Sequence, residues 1–543
     1  MNNAILKYAE PTNMDELGYL PGSPEKASLK AELKRQYDTY VEVPCIINGK
    51  KVYSGKTIPL IMPDEKRHVL GVAHLAGEKE LNEAKKAALQ AHALWENMPV
   101  EHRFDIFLRA AELLKRNPYH DRISAATILN QSKTIVQTEG DSGSGLIDLI
   151  LYDVFNCAQI YEQQPHSLPS SANRLEWRPL EGFVAAITPF NYVSDASNLA
   201  IAPAVAGNTV LWKPSSTSIL SNYYVMEALM DAGLPAGVMN FLPSRGAMFS
   251  EHVVKDENLA GIHFIGSTDT FRSLWRTVGE NIATYRNFPR LAGETGGKNF
   301  MLAYKDCDVD ALVIALIRGA FELQGQKCSA TSRAYIPQSI WAEVKEKLLA
   351  QIQQIKVGPA SDFSNFISAV IDQNSFNNIK RYIEDARASA DAEVLTGGYD
   401  DSVGFFVSPT VIVCKKPTYK TMVEEIFGPV LSVYVYPDED LEEVVKLVNE
   451  STAYALTGAI FCSDRNKLAQ LETSLRYAAG NLYLNDKSTG SMAGYIPFGG
   501  SRASGTNDKP GSMINMLKWV NPRTIKDSLM PPHDWRYDSL QEP

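Results

Sequence analysis

The chain lacks most of what would mark a metal, redox or nucleic-acid protein. Its six cysteines (Cys45, Cys157, Cys307, Cys328, Cys414 and Cys462) include no CxxC pair, and neither an HExxH motif nor a histidine cluster is present. No metal site is therefore expected, and scattered thiols of this kind suit a reducing compartment. Lys and Arg number 53 against 63 Asp and Glu, a net charge of −10, and no long basic run offsets it, which excludes nucleic acid as a partner. The longest apolar stretches, such as Phe183-Val184-Ala185-Ala186-Ile187, fall far short of the roughly 20 residues that a membrane helix needs. Residues 1–10 have neither the basic-then-apolar pattern of a secretory leader nor an Arg/Ser-rich amphipathic one. A cytoplasmic chain is the expectation. Two further absences bear on chemistry: there is no GxGxxG, and no histidine stands between His263 and His533.

What is present is an ordinary globular composition, 45% hydrophobic and 21% charged over 543 residues, long enough for two or three domains. Residues 1 to about 60, with Pro21-Gly22-Ser23-Pro24, read as an irregular surface arm. Amphipathic helices are expected from about Glu78 to Trp95 and again after Pro99, up to Asn117-Pro118. From Gly182 to Gly266 short apolar runs alternate with longer periodic ones: strands at 183–188, 209–213, 238–242 and 261–265, helices at 196–206, 219–232 and 268–278. This alternation predicts a parallel sheet with right-handed crossovers, a Rossmann-type nucleotide architecture. A second βα series follows Lys298, with strands at 299–304 and 334–336 and helices at 309–323 and 340–355. The cleft between the two series is the expected reaction site.

Two residues stand in settings that suit reaction better than packing: Glu294 in Gly293-Glu294-Thr295-Gly296-Gly297-Lys298, and Cys328 in Gly325-Gln326-Lys327-Cys328-Ser329. One offers a carboxylate base, the other a thiol nucleophile that needs a helix N-terminus, a cation or a base to ionise. Lys327 is a cation beside it in sequence. A cysteine hydrolase would pair its thiol with histidine, and none lies nearby in the chain. An aldehyde fits better, since thiolate addition and hydride departure leave a thioester that water then releases. For a nucleotide, Gly266-Ser267-Thr268 opens a helix whose free N–H groups either hold a pyrophosphate or merely cap the helix. Lys213, before Pro214, is either a ribose ligand or a solvated strand end.

Six motifs in order make the chain resemble the aldehyde dehydrogenase superfamily over roughly residues 50 to 530: Pro189-Phe190-Asn191, Lys213-Pro214-Ser215, Phe264-Ile265-Gly266-Ser267-Thr268, Glu294-Thr295-Gly296-Gly297-Lys298, Gly325-Gln326-Lys327-Cys328 and Glu424-Glu425-Ile426-Phe427-Gly428-Pro429. Ser488-Thr489-Gly490-Ser491 and Pro497-Phe498-Gly499-Gly500 are similar to the branch acting on glutamate 5-semialdehyde. The resemblance implies an α/β fold with a Rossmann-type cofactor domain, an α/β catalytic domain and a small oligomerisation β-flap. Its parts would be an N-terminal arm at 1–60, an NAD-binding domain at 61–165 and 182–296, a catalytic domain at 297–505, and oligomerisation strands at 166–181 and 509–535.

The resemblance also implies roles. Cys328 would be the nucleophile, Glu294 the base for the deacylating water, and Asn191 an oxyanion donor beside the Cys328 N–H. Thr188, Lys213, Ser216, Gly266, Ser267, Thr268, Glu425 and Phe427 would bind the cofactor; Lys327, Ser329, Gly490, Ser491 and Phe498 would bind the substrate. The implied reaction is oxidation of L-glutamate 5-semialdehyde to L-glutamate with NAD in proline breakdown, by a homodimer or higher homo-oligomer. Many NAD-specific members carry a glutamate where this chain has Ser216, which leaves NADP open. Two rivals remain: a dehydrogenase of another aldehyde, and a cofactor-independent thioesterase.

Overall fold

The computed structural model describes residues 7–540; the first six residues of the expected arm lie outside that range. Two seven-stranded sheets organise the chain. In the first, the strands Arg290–Glu294, Leu259–Ile265, Phe183–Ile187, Thr209–Lys213 and Met239–Phe241 lie side by side in that order and parallel. Cys45–Ile47 and Lys50–Val52 extend it antiparallel. The strand Phe183–Ile187 is apolar throughout because helices cover both faces, so the alternation of a half-solvated strand is missing. Phe183, Val184, Ala185 and Ala186 are all fully buried.

The second sheet orders Ala392–Thr396, Thr410–Cys414, Val430–Tyr436, Thr331–Pro337, Asn299–Ala303, Thr457–Phe461 and Asn481–Leu484. Only its edge strand Ala392–Thr396 runs antiparallel. Away from both sheets, Ser171–Pro179 and Val520–Ser528 pair antiparallel over nine residues as a two-stranded ribbon.

The segment read as an irregular arm is partly regular, and this corrects the expectation. A helix spans Pro24–Tyr37, capped by the Ser23 hydroxyl and started by a proline in its first turn, where the missing N–H costs nothing. Its only buried residues are Leu29, Leu33 and Gln36, too narrow a stripe to show as periodicity. Helices Tyr119–Gln131 and Gly145–Tyr161 also left little sequence signal. They are enclosed on nearly every side, so the polar face that makes a helix legible is absent.

In the first sheet the chain steps from Phe183–Ile187 outward through Thr209–Lys213 to Met239–Phe241, then returns to add Leu259–Ile265 on the other flank. At such a reversal the carboxyl ends of adjacent strands leave a crevice between their loops. Thr188, Lys213, Gly266 and Glu294 all stand at carboxyl ends there. Among the described residues no helix is long and apolar enough to cross a membrane, and no group of three metal-ligating side chains forms.

Candidate active site

Cys328 follows a turn that regular helix cannot supply. The helix Val309–Phe321 stops two residues earlier than its pattern suggests, because Leu323, Gln324 and Gly325 take φ of 53°, 56° and 64°. Left-handed backbone at a non-glycine residue costs of order 1–3 kcal/mol and persists only where the surroundings hold it. Here the hold is visible. Gln324 Nε2 donates to Ser132 O (2.9 Å) and Ala369 O (2.7 Å), and Gln326 Oε1 accepts from the Ile371 N–H (2.9 Å). Asn299 Nδ2 donates to Cys328 O (2.7 Å) and Ala330 O (2.8 Å).

Glu294 closes the strand Arg290–Glu294, and the glycines after it are demanded by crowding. A side chain at 296 would strike the Glu425 carboxylate, and one at 297 the Cys328 carbonyl. Gly297 N–H donates to Glu425 Oε1 at 2.8 Å. One glycine pair thus brings three expected site segments together. Glu294 itself is buried; its Oε2 accepts from the Gly500 N–H (3.1 Å) while Oε1 has no partner. Burial holds its carboxyl well above the usual range, opposed by the Gly500 N–H and the Lys509 ammonium. A buried carboxyl with one vacant oxygen is suited to take a proton from water.

Burial likewise raises the Cys328 thiol well above its ordinary value, and the charges of Asp195 and then Glu294 raise it further. Lys327 turns to Glu322 instead, with Nζ 2.8 Å from Oε2 and both side chains almost fully enclosed. The neighbouring cation is held in a salt bridge of its own.

Asn191 Nδ2 donates to Gln326 O at 3.0 Å, which places the amide on the nucleophile loop. Its backbone is tied from elsewhere. Lys133 Nζ donates to Asn191 O (2.8 Å) and to Asp141 Oδ2 (2.7 Å), and neither side chain of that pair is exposed. Asp141 accepts in turn from the N–H groups of Val193 (2.9 Å) and Ser194 (2.8 Å). The helix therefore starts at Val193, earlier than its own sequence suggests, because a carboxylate from another segment satisfies its free N–H groups. Replacing Asn191 by alanine is expected to lower kcat about 10²–10³-fold, the usual cost of one oxyanion donor, with little change in KM; steady-state kinetics measure both. Lys133→Met would leave Asp141 buried without its counter-charge, and should destabilise the chain by about 3–5 kcal/mol, read as a lowered denaturant midpoint.

The expected cofactor residues gather at the first sheet's edge. Lys213 Nζ has one hydrogen bond, 3.3 Å to Pro214 O, and burial lowers its pKa to about 8. An ammonium so little engaged can donate to ribose hydroxyls. Thr188 Oγ1 accepts from Trp212 Nε1 at 3.3 Å. Ser267 spends its hydroxyl on capping, accepting from the Thr270 N–H at 3.2 Å, and the other first-turn N–H groups of the helix Thr268–Glu280, which a helix leaves without internal partners, are of the kind that holds an anion. A side chain at Gly266 would strike Phe264. Ser216 is exposed and bears no charge. Phe427, at φ 58°, meets Phe190 edge-on with centroids 5.9 Å apart. These features fit a dinucleotide.

The expected substrate residues share a cavity of about 460 Å³, whose walls include Cys328, Lys327, Ser329, Gly490, Ser491 and Phe498. Glu294 and Asn191 are not in those walls. Ser329 O accepts from Ser488 Oγ (2.9 Å), which fastens the Gly490 loop to the nucleophile loop. Lys133, Asp141 and Gln324 escaped the sequence reading, as did the holding role of Gln326 within its motif. A buried carboxylate or amide gives no local signal when its partners lie far along the chain. Asp195 also escaped, because the helix expected at 196–206 begins one residue after it, whereas the helix itself starts at Val193.

A thiol, a buried carboxyl and a dinucleotide crevice on two joined α/β sheets define a cofactor-dependent oxidoreductase of aldehydes. Residues 51–525 match the aldehyde dehydrogenase family, and the chain belongs to it. More particularly, it is 45% identical to the mitochondrial delta-1-pyrroline-5-carboxylate dehydrogenase of Dictyostelium discoideum, over 98% of this chain and 96% of that protein. It is also 45% identical to the human mitochondrial enzyme of that name, over 97% and 94%. The crystal structure of the Mycobacterium tuberculosis delta-pyrroline-5-carboxylate dehydrogenase bound with NAD superposes with a TM-score of 0.96, at 44% identity and full coverage of both chains.

Proposed function

We propose that this chain is an L-glutamate γ-semialdehyde dehydrogenase: it oxidises L-glutamate 5-semialdehyde, the opened form of 1-pyrroline-5-carboxylate, to L-glutamate with NAD. One observation carries the substrate. The small-residue loop Gly490-Ser491 and Ser329 line the same cavity as Cys328, so N–H groups that suit a carboxylate stand within one small molecule's reach of the thiol. Phe498 in the same wall offers an apolar face to the methylene chain.

Cys328, once ionised, adds to the aldehyde carbon, and Asn191 with the Cys328 N–H receives the oxyanion. NAD, when bound, supplies the acceptor for the hydride that leaves as the thioester forms. Glu294 then takes a proton from water at its free Oε1, the hydroxide attacks the thioester, and the Cys328 thiolate departs from glutamate. Lys213 and Glu425 are the residues to hold the riboses, and the start of the helix Thr268–Glu280 the pyrophosphate. The vacant hydrogen-bonding capacity of Lys213 supports this reading over a thioesterase, which has no use for it. Pyrroline-5-carboxylate assayed with NAD and with NADP, beside succinate semialdehyde, tests the proposal. Preference for succinate semialdehyde would overturn it.

The same reading divides the chain into the cofactor and catalytic domains given above, since the first sheet ends at Glu294 and the second begins at Asn299. It also makes the chain a homodimer or larger homo-oligomer. A two-stranded ribbon alone is marginal in water, and its outer edges are open to a further strand. A chain ending at Trp519 is expected to run as a monomer by light scattering, where the whole chain runs as a multimer. A cytoplasmic location belongs to the same proposal, supported by six unpaired cysteines; several relatives are named as mitochondrial, and fractionation of the source cells tests it.

A further inference from the structure

The cavity beside Cys328 contains several acids, and most are already engaged. Glu322 is held by Lys327 (2.8 Å) and Arg318 (2.9 Å). Asp148 Oδ1 accepts from the Met14 N–H (3.0 Å), and Asp486 Oδ1 from the Lys487 N–H (2.7 Å). Asp195 differs. It lies in the first turn of the helix Val193–Val205, just past Asn191, and lines the cavity with Cys328 and Tyr192. It makes no hydrogen bond or ion pair with any described residue; Lys133, the cation whose charge acts on it, is already paired with Asp141. Half-buried and without a protein partner, this carboxylate is free to accept from a ligand in the cavity.

Resting on the semialdehyde reading above, we propose that Asp195 is a specificity-determining residue that receives the α-ammonium of the substrate. Asn191 and the N–H groups of the Gly490 loop meet the aldehyde and carboxylate ends as donors, and Glu294 is given over to water, so none of them is left to receive the ammonium. Asp195 lies four residues after the oxyanion donor, and it lines the cavity together with Cys328 and with Gly490-Ser491, the two ends between which the ligand would stretch. Burial raises its pKa to about 7, with the Asp141 charge adding to the rise, and a bound ammonium would draw it down again. The other unengaged acid in the wall, Glu16, has Glu139 and Lys487 as its charged neighbours, whereas Asp195 is the charge that most raises the Cys328 thiol.

The test compares two aldehydes of equal chain length, glutamate 5-semialdehyde and 5-oxopentanoate, which lacks the amine. In Asp195→Asn, kcat/KM for the amino aldehyde should fall about tenfold or more, chiefly through KM, as loss of a charge-assisted contact implies. For 5-oxopentanoate it should change less than about threefold, and this activity doubles as the check that the variant is folded. An equal loss on both substrates overturns the inference and makes Asp195 a group of the chemical step or of the fold; Asp195→Ser, read in the same way, guards against a defect peculiar to asparagine. Loss of amine preference in Glu16→Gln but not in Asp195→Asn overturns it too. If the unaltered enzyme oxidises both aldehydes equally well, this inference fails and the dehydrogenase reading stands; if it oxidises neither, the reading itself fails.

Discussion

Cys328→Ala is expected to abolish NADH formation, by at least about 10⁴-fold, the scale of loss when a covalent nucleophile is removed. The other five thiols cannot substitute, since Cys45, Cys157, Cys307, Cys414 and Cys462 are packed inside the apolar cores. Cofactor binding should survive, because Lys213, Glu425 and the helix after Ser267 are untouched; quenching of protein fluorescence by NAD measures it. Undiminished turnover in this variant would refute the nucleophile assignment, and lost NAD binding would show that the substitution had acted through the fold.

The second large effect is expected at Glu294. Glutamine has the same shape and can still accept from the Gly500 N–H, but it cannot take a proton. Acylation should therefore proceed once per site and stop: stopped-flow absorbance should show a burst of about one NADH per subunit, followed by turnover slowed about 10²–10⁴-fold. Absence of the burst would place Glu294 in the first half-reaction. The unaltered enzyme carries a related signature in pH. Cys328 and Glu294 both act deprotonated, and burial holds both above their ordinary values. Activity is accordingly expected to rise with pH through the neutral range, and in Glu294→Gln the burst rate should keep the part of that rise due to Cys328.

Much of the site is legible in the sequence for a physical reason. Close approach of another segment to the backbone demands glycine, so Gly296-Gly297 and Gly325 mark in the chain where its segments crowd together. Fully covered parallel strands demand apolar runs, so Phe183-Val184-Ala185-Ala186-Ile187 reads as a strand with no structure at hand. The errors have equally definite causes. The helix Pro24–Tyr37 buries too little to be periodic, and the helix at Val193 begins where a distant acid caps it. The direction of Lys327 is left open by the sequence, since adjacency to Cys328 does not fix where a side chain points, and its ammonium goes to Glu322.

By itself, then, the sequence determined the class of fold, the family, and the identities of the thiol, the carboxyl and the small-residue loops, all of which follow from local constraints on backbone and burial. Only the tertiary structure decided how they are held: the Lys133–Asp141 pair behind Asn191, the left-handed turn before Cys328 locked by Gln324 and Gln326, the vacant oxygen of Glu294, and Asp195 left unpartnered in the cavity. Each of these depends on which groups remain satisfied once distant segments are packed together, and hydrogen-bonding capacity left over after folding is a property of the whole contact set that no local stretch of sequence contains.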